Sequence, residues 1–296
     1  MLRTFYVTKA SGKKEKFDPK KLIRTCKRAG ATKEMTDKIL DTIYEKAYNG
    51  IPTRKILDIT LTMLHKKHPH VAARYNLKKG IMNLGPAGFL FEKFMAEVLK
   101  EHGFQTSVHN LLKGACVKHE VDIVASRKVK VIDDFHHPHL RWFMIECKFH
   151  NAPGIYSGVK DVLYTYARFE DLVDAWKTGS SQKFDYPWLI TNTKFSRDAK
   201  QYASCKNMRL LGWKYPAGKS LEVMIEEKKL YPITILSSLT QNELEKLSQK
   251  RMMLCKDLFK RPVKSLSKIT GISLKRLNEL IIESEKVLGD NNGKSG

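Results

Sequence analysis

The stretch "RWFMIECKFH", residues 141–150, sets an apolar run of strand length around two opposite charges, Glu146 and Lys148. Side chains alternate along a strand. Glu146 and Lys148 therefore share one side with Trp142 and Met144, while Ile145, Cys147 and Phe149 take the other. The charged side is thus not simply a solvent face. A carboxylate and an ammonium placed there are costly to desolvate unless each finds partners. Taken alone, the pair reads as a local ion pair at a strand end.

A second acid changes the balance. "HEVDIVAS", residues 119–126, holds Asp122 between Val121 and Ile123 in another strand-like run. If the two strands are neighbours, Asp122 and Glu146 approach across the ladder. Two carboxylates at that range repel, and a divalent cation bound by oxygen would relieve the conflict. A lysine beside them can orient or help deprotonate the attacking water and stabilise charge on a phosphorane-like transition state. That set fits metal-assisted phosphodiester hydrolysis. A third acid precedes them in "AGFLFEKFMAEVLKEHG", residues 87–103. At about 100° per residue, Glu92 falls beside Met95, Ala96 and Leu99, on the margin of the apolar stripe of this helix. Such an acid either turns outward or serves a site. His119 and Glu120 read as flanking residues.

Working outward, "VKDVLYTYARFEDLVDAWKTG" (159–179) and "SRDAKQYASCKN" (196–207) read as helices around a further strand, "YPWLITNTKF" (186–195). This alternation predicts a mixed α/β sheet with helices on both faces over residues 87–232. In front, "TFYVTKASGKKEKFD" reads as a hairpin turning at Ser11-Gly12. Four short helices follow. The first is capped by Asp18, opens with Pro19 and stops at Gly30; the second ends at Asn49-Gly50. The third begins behind Pro52-Thr53, and the fourth, "VAARYNLKKGIMNL", closes at Gly85-Pro86. Behind the sheet the chain is helical, with one helix over 240–259 and a pair over 263–288 joined by Thr270-Gly271-Ile272 and capped by Ser273. The fold class is α/β (α+β), in modules of 1–86, 87–232 and 233–289, with a disordered polar tail at 290–296.

The chain has 296 residues, 42% of them hydrophobic, and a formal net charge of +23. That size supports more than one core. Such a positive surface concentrates polyanions, and nucleic acid is the first candidate. A membrane surface is the second, but no amphipathic anchor or lipidation signal stands out. Five scattered cysteines without a CxxC pair point to a reducing compartment and to neither a disulfide framework nor zinc. The start lacks the apolar core of a signal peptide, and no run approaches the roughly 20 apolar residues of a membrane span. A soluble cytoplasmic protein is expected.

"FEKFMAEVL", "HEVDIVA" and "IECKFHN" together resemble the PD-(D/E)xK nuclease superfamily, in particular its Mrr-like restriction endonuclease branch. The resemblance implies Asp122 and Glu146 as metal ligands with the Cys147 carbonyl as a third, Lys148 as the catalytic lysine, and Glu92 as the helix acid completing the site. Val121 stands where the family pattern often has proline. The long connection "SRKVKVIDDFHHPHLRW" is a departure; His136, His137 and His139 read as an exposed tip with Pro138 rather than a zinc site. Lys160 reads either as a phosphate contact or as a surface lysine.

"VTKASGKKEKFDPKKLIRTCKRAG", with "GIPTRKI" and "AARYNLKKGIMNLGP", resembles an ATP-cone. This implies Val7, Lys9, Lys21 and Thr53 as nucleotide contacts, with Lys78 and Lys79 as weaker candidates. Ala10-Ser11 depart from the family's usual Arg-Asp, which puts one phosphate contact and the choice between ATP and dATP in doubt. No Walker-type loop occurs. The final helix pair is similar to a helix-hairpin-helix, in which Lys268, Lys275 and Arg276 add charge for phosphate; a protein-docking helical pair is the alternative. The resemblances imply a Mg²⁺- or Mn²⁺-dependent endonuclease acting on DNA, with duplex favoured over RNA. ATP or dATP is implied as a regulatory ligand, and a homodimer would serve where both strands are cut. Competing readings are a nucleotide-responsive DNA-binding regulator with an inactive nuclease fold and a branched-DNA repair nuclease.

Overall fold

The computed structural model describes residues 4–85, 89–129, 139–152 and 154–289. Pro86, His136, His137, Pro138 and the 290–296 tail lie outside the described residues, as does the side chain of His139.

Strands β1 (Tyr6–Thr8) and β2 (Lys14–Lys16) form the hairpin, with Val7 opposite Glu15. Gly12 turns it at a φ of 78°, where a side chain would be strained. Helix α1 (Pro19–Ala29) starts as expected: the Asp18 carboxylate accepts from the Lys20 amide at 3.0 Å. Gly30, at a φ of 87°, ends it. Helix α2 (Lys33–Lys46) stops before Asn49-Gly50, because Asn49 is used elsewhere. Its Oδ1 accepts from the Tyr6 amide at 3.0 Å. That bond leads the chain into β3 (Ile51–Pro52), which joins β1 in parallel. Helix α3 (Thr53–Lys67) follows. The expected fourth helix is two, α4 (Pro69–Tyr75) and α5 (Leu77–Met82), parted at Asn76. Phe5 stacks on Phe17 at 4.7 Å, and Tyr44 meets both edge-on in the core.

The nuclease-like segment begins with α6 (Phe89–Glu101), β4 (Gln105–Lys113), β5 (Lys118–Val129) and β6 (His139–Lys148). Then come β7 (Tyr156–Ser157), α7 (Val159–Lys177), β8 (Tyr186–Thr191), β9 (Lys194–Phe195), α8 (Arg197–Cys205), β10 (Arg209–Leu211) and α9 (Leu221–Glu227). The main sheet has the order β10-β8-β6-β5-β4. Neighbours β4, β5 and β6 run antiparallel, while β6, β8 and β10 run parallel. The sheet is mixed as expected, with α6 and α7 on opposite faces. Phe149 meets Phe91 of α6 at 5.6 Å, whereas Met144 clusters with Leu172 of α7. Strands β4 and β10 are additions to the sequence reading.

The last helices are α10 (Gln241–Gln249), α11 (Val263–Thr270) and α12 (Leu274–Leu288). The helix expected over 240–259 breaks after Gln249, and Arg251 takes a left-handed φ of 58°. Gly271, at a φ of 66°, and the Ser273 cap join the final pair as expected. Arg276 is committed internally, however. Its Nε donates to Glu243 at 2.7 Å and its Nη1 to Glu279 at 2.9 Å, so it does not stand ready for a phosphate.

The chain forms two compact units, one from 84–232 with 247–254, the other from the described parts of 1–83, 233–246 and 255–296. Within the latter, Thr234 Oγ1 donates to the Gly80 carbonyl at 2.6 Å. A Cβ on Gly80 would stand 3.3 Å from the Ile235 backbone, so glycine permits this close approach. Cys26 and Cys255 are buried, and Cys116 and Cys205 are exposed. Among the described residues no helix is long and apolar enough to cross a membrane.

Candidate active site

The acids come from three elements. Ile123 of β5 pairs with Ile145 of β6. The next step along each strand brings Asp122 and Glu146 to the end of that ladder. Asp122 Oδ2 accepts from the Cys147 amide at 2.7 Å. Glu92 reaches the same place from the first turn of α6. Burial, then the charges of Asp122, Glu146 and Glu120, push the Glu92 carboxyl up to about 7. Burial, then the charge of Asp122, pushes Glu146 up to about 7 as well, against the pull of Arg168 and Lys148. Asp122 is also raised, chiefly by burial. The structure thus brings Glu92, Asp122 and Glu146 into one electrostatic cluster.

Lys148 lies two residues beyond Glu146 on the same side of β6, toward α7. Its Nζ stands 3.5 Å from Asp161, and the side chain is 49% exposed, so the ammonium is tethered but reachable. Asp161 is itself fixed by the Gly158 amide at 2.9 Å. Lys160, beside it, is exposed.

Two participants were not visible in the sequence. Arg168, on α7, donates from Nη1 to Glu146 and from Nη2 to the Glu120 carbonyl. It is buried, with its guanidinium 5.3 Å from the Tyr164 ring. An arginine in a mixed helix reads as surface; only the tertiary fold buries it. His109, on β4, has a left-handed φ of 54°, uncommon for a residue with a side chain. Its Nδ1 lies 3.6 Å from Glu92 and 3.7 Å from Glu120, and its ring stacks on Phe89.

Asp171 of α7 fixes the β4–β5 turn that leads to these acids. It accepts from the Cys116 amide at 2.7 Å, and the His119 ring nitrogen lies 2.7 Å from it. Burial opposes its ionisation, but these bonds and the Val117 amide hold the carboxyl down to about 2. His119 therefore flanks the site.

Asp122 and Glu146, with the Cys147 carbonyl that the resemblance implies as a third, would make an all-oxygen set of the kind hard divalent cations prefer. The repulsion among the acids is what such a cation would relieve, so the residues fit the group. Among the described residues no three His, Cys, Asp or Glu side chains are grouped to hold an ion by themselves. Glu92 lies within electrostatic range of Asp122 and Glu146. In the arrangement seen, Arg168 supplies the countercharge to Glu146.

In the N-terminal unit, Lys9 and Lys21 converge. Both face Glu15, at 2.5 and 3.5 Å. Val7 is buried in β1, and Thr53 follows directly on Pro52, which pairs with Thr8. Lys79 is exposed on α5.

Family models match three segments: the ATP cone domain over 5–78, the restriction endonuclease (Mrr_cat) over 87–214, and AF1548-like, C-terminal over 231–288. The crystal structure of AF1548, a protein of unknown function, is 40% identical and superposes with a TM-score of 0.57. It covers 68% of this chain and 98% of its own. An uncharacterized protein of Archaeoglobus fulgidus is 42% identical over 195 residues, which is 66% of this chain and 100% of that relative. The chain belongs to the AF1548-like family. This AF1548-like chain carries an ATP-cone domain and a restriction-endonuclease-like domain of nuclease type. The DNA modification-dependent restriction endonuclease AspBHI is a more distant likeness, at 12% identity and a TM-score of 0.37 over 53% of this chain and 35% of its own.

Proposed function

We propose that the chain is a metal-dependent DNA endonuclease governed by nucleotide binding at its ATP-cone. The observation that carries this reading is the convergence of Glu92, Asp122 and Glu146, from three elements, beside a reachable Lys148. Asp122, Glu146 and the Cys147 carbonyl would hold Mg²⁺ or Mn²⁺. Bound there, the ion would offset charge on the scissile phosphate and the leaving oxygen. Lys148 leaves Asp161 to place its ammonium against the phosphate as negative charge builds. Glu92, near neutrality in its titration, can hold or release a proton at working pH. His109 and Arg168 keep the acids in place.

The substrate is duplex DNA, drawn by a net charge of +23. A homodimer would serve where both strands are cut. Val7, Lys9, Lys21 and Thr53 take ATP or dATP, and the triphosphate displaces Glu15 from the two lysines. Binding, not hydrolysis, is the signal.

One observation favours a second reading. The Arg168 guanidinium occupies Glu146, as expected of a nucleotide-responsive DNA-binding regulator with an inactive nuclease fold. A plasmid-nicking assay with Mg²⁺ or Mn²⁺ separates the two. Nicking by the wild type and none by Glu146→Ala supports the nuclease; DNA binding without nicking supports the regulator. Repeating it with ATP, dATP and a non-hydrolysable analogue tests the sensor, and equal responses to ATP and analogue are expected.

A further inference from the structure

A cleft of about 820 Å³ opens elsewhere on the nuclease-like unit. Its walls include Phe104, Arg127, Trp188, Lys200, Arg209 and Tyr215. Arg127 lies five residues along β5 from Asp122, about 17 Å away at roughly 3.4 Å per residue. The cleft is therefore separate from the acid cluster.

Its chemistry is one-sided. Arg127 stands over Phe104 at 5.1 Å, and Arg209 over Phe143 and Tyr186 at 4.7 and 4.8 Å. Lys200 stands over Tyr215 at 4.7 Å. Neither arginine makes an ion pair among the described residues. Burial, and after it the nearby charge of Arg127, holds the Arg209 guanidinium below its usual range. Among the described residues no carboxylate lies between the two guanidiniums, and Glu227, exposed, is the one acid on the walls. Such a pair suits an anion.

The floor is aromatic. Trp188, 8% exposed, lies 5.8 Å from Phe104. A ligand that combines a planar ring with an anionic group answers both the aromatic floor and the paired guanidiniums. Stacking on aromatic side chains with cations alongside is how proteins hold bases. The volume lies within the range of small-ligand sites.

We propose that this cleft binds one nucleotide unit, its base against the Trp188, Phe104 and Tyr215 floor and its phosphate between Arg127 and Arg209. The unit is either a free nucleotide or one residue of a DNA strand.

Hydrogen exchange on the full chain, in chelator so that no cleavage occurs, tests this locally. The probes are dAMP, inorganic phosphate and a 5′-phosphorylated oligothymidylate. Slower exchange at residues 102–104 and 208–219 is expected with dAMP, with the oligonucleotide, or with both. Protection by dAMP assigns a free-nucleotide site; protection by the oligonucleotide alone assigns a strand site. Arg209→Gln and Arg127→Gln, both at exposed side chains, should each raise the half-saturating concentration about tenfold, in line with loss of a charged hydrogen bond. Trp188→Phe, which keeps an aromatic ring, should weaken binding in the same direction. Equal protection by inorganic phosphate, no protection by any probe, or unchanged affinity in both arginine variants overturns the proposal.

Discussion

Arg168 spans Glu146 and the Glu120 carbonyl, so one guanidinium ties both strand ends that carry the acids. Removing it as Arg168→Met leaves a largely buried carboxylate without its partner. The expected loss is about 3 kcal/mol at pH 8, read from urea unfolding in chelator, and it shrinks at pH 5, where Glu146 can be protonated. Glu92 has a related signature. Its folded carboxyl titrates at about 7, above the usual 4.5. Stability from this shift is present below the unfolded value and lost as pH rises through 7. Glu92→Gln should therefore gain on the wild type as metal-free protein is taken from pH 5 to pH 8, and parallel stability curves would contradict this. The acids were legible in the sequence because each interrupts an apolar run. Arg168 and His109 were not, since a helical arginine and a polar-strand histidine look like surface until the fold encloses them.

Among elements, the turn between β4 and β5 is held by α7. A Cβ on Gly114 would come 1.9 Å from Asp171 Oδ2 and 2.6 Å from the Val117 carbonyl. Gly114→Ala must therefore displace Asp171 and break the bonds it accepts from the Cys116 and Val117 amides. A loss of about 2 kcal/mol is expected, measured as a lowered melting temperature, with little effect from a change at exposed Lys113. Helices with caps were read well from the chain: Asp18, Gly30 and Ser273 do what their residue types favour. Strand β4 escaped because "QTSVHNLLK" mixes polar residues and lacks a clean alternation. The α4–α5 break escaped because Asn76, neither glycine nor proline, makes it. Strand β10 has only 3 residues, too few to show a period.

At the scale of the molecule, residues 233–246 share a compact unit with the N-terminal hairpin and helices. Deleting 233–289 should thus weaken the ATP-cone part itself, through loss of Ile235 and Thr234 from Gly80. Exchange in α5 would report it; unchanged protection there would contradict it. DNA affinity should fall steeply with salt, with a log–log slope of about −0.9 per phosphate neutralised, measurable by fluorescence anisotropy. That 233–246 packs with the N-terminal segment was not legible in the chain, because contacts between distant segments leave no periodic trace.

The seat of Cys116 has a practical consequence. Asp171 beside it pushes the Cys116 thiol above its usual range and so holds back formation of the reactive thiolate. Cys205, also at the surface, closes α8 directly after Ser204 of the arginine-lined cleft. An alkylating dye offered in limiting amount should choose Cys205 first. The wild-type chain then carries its own reporter at the cleft's edge, without engineered handles.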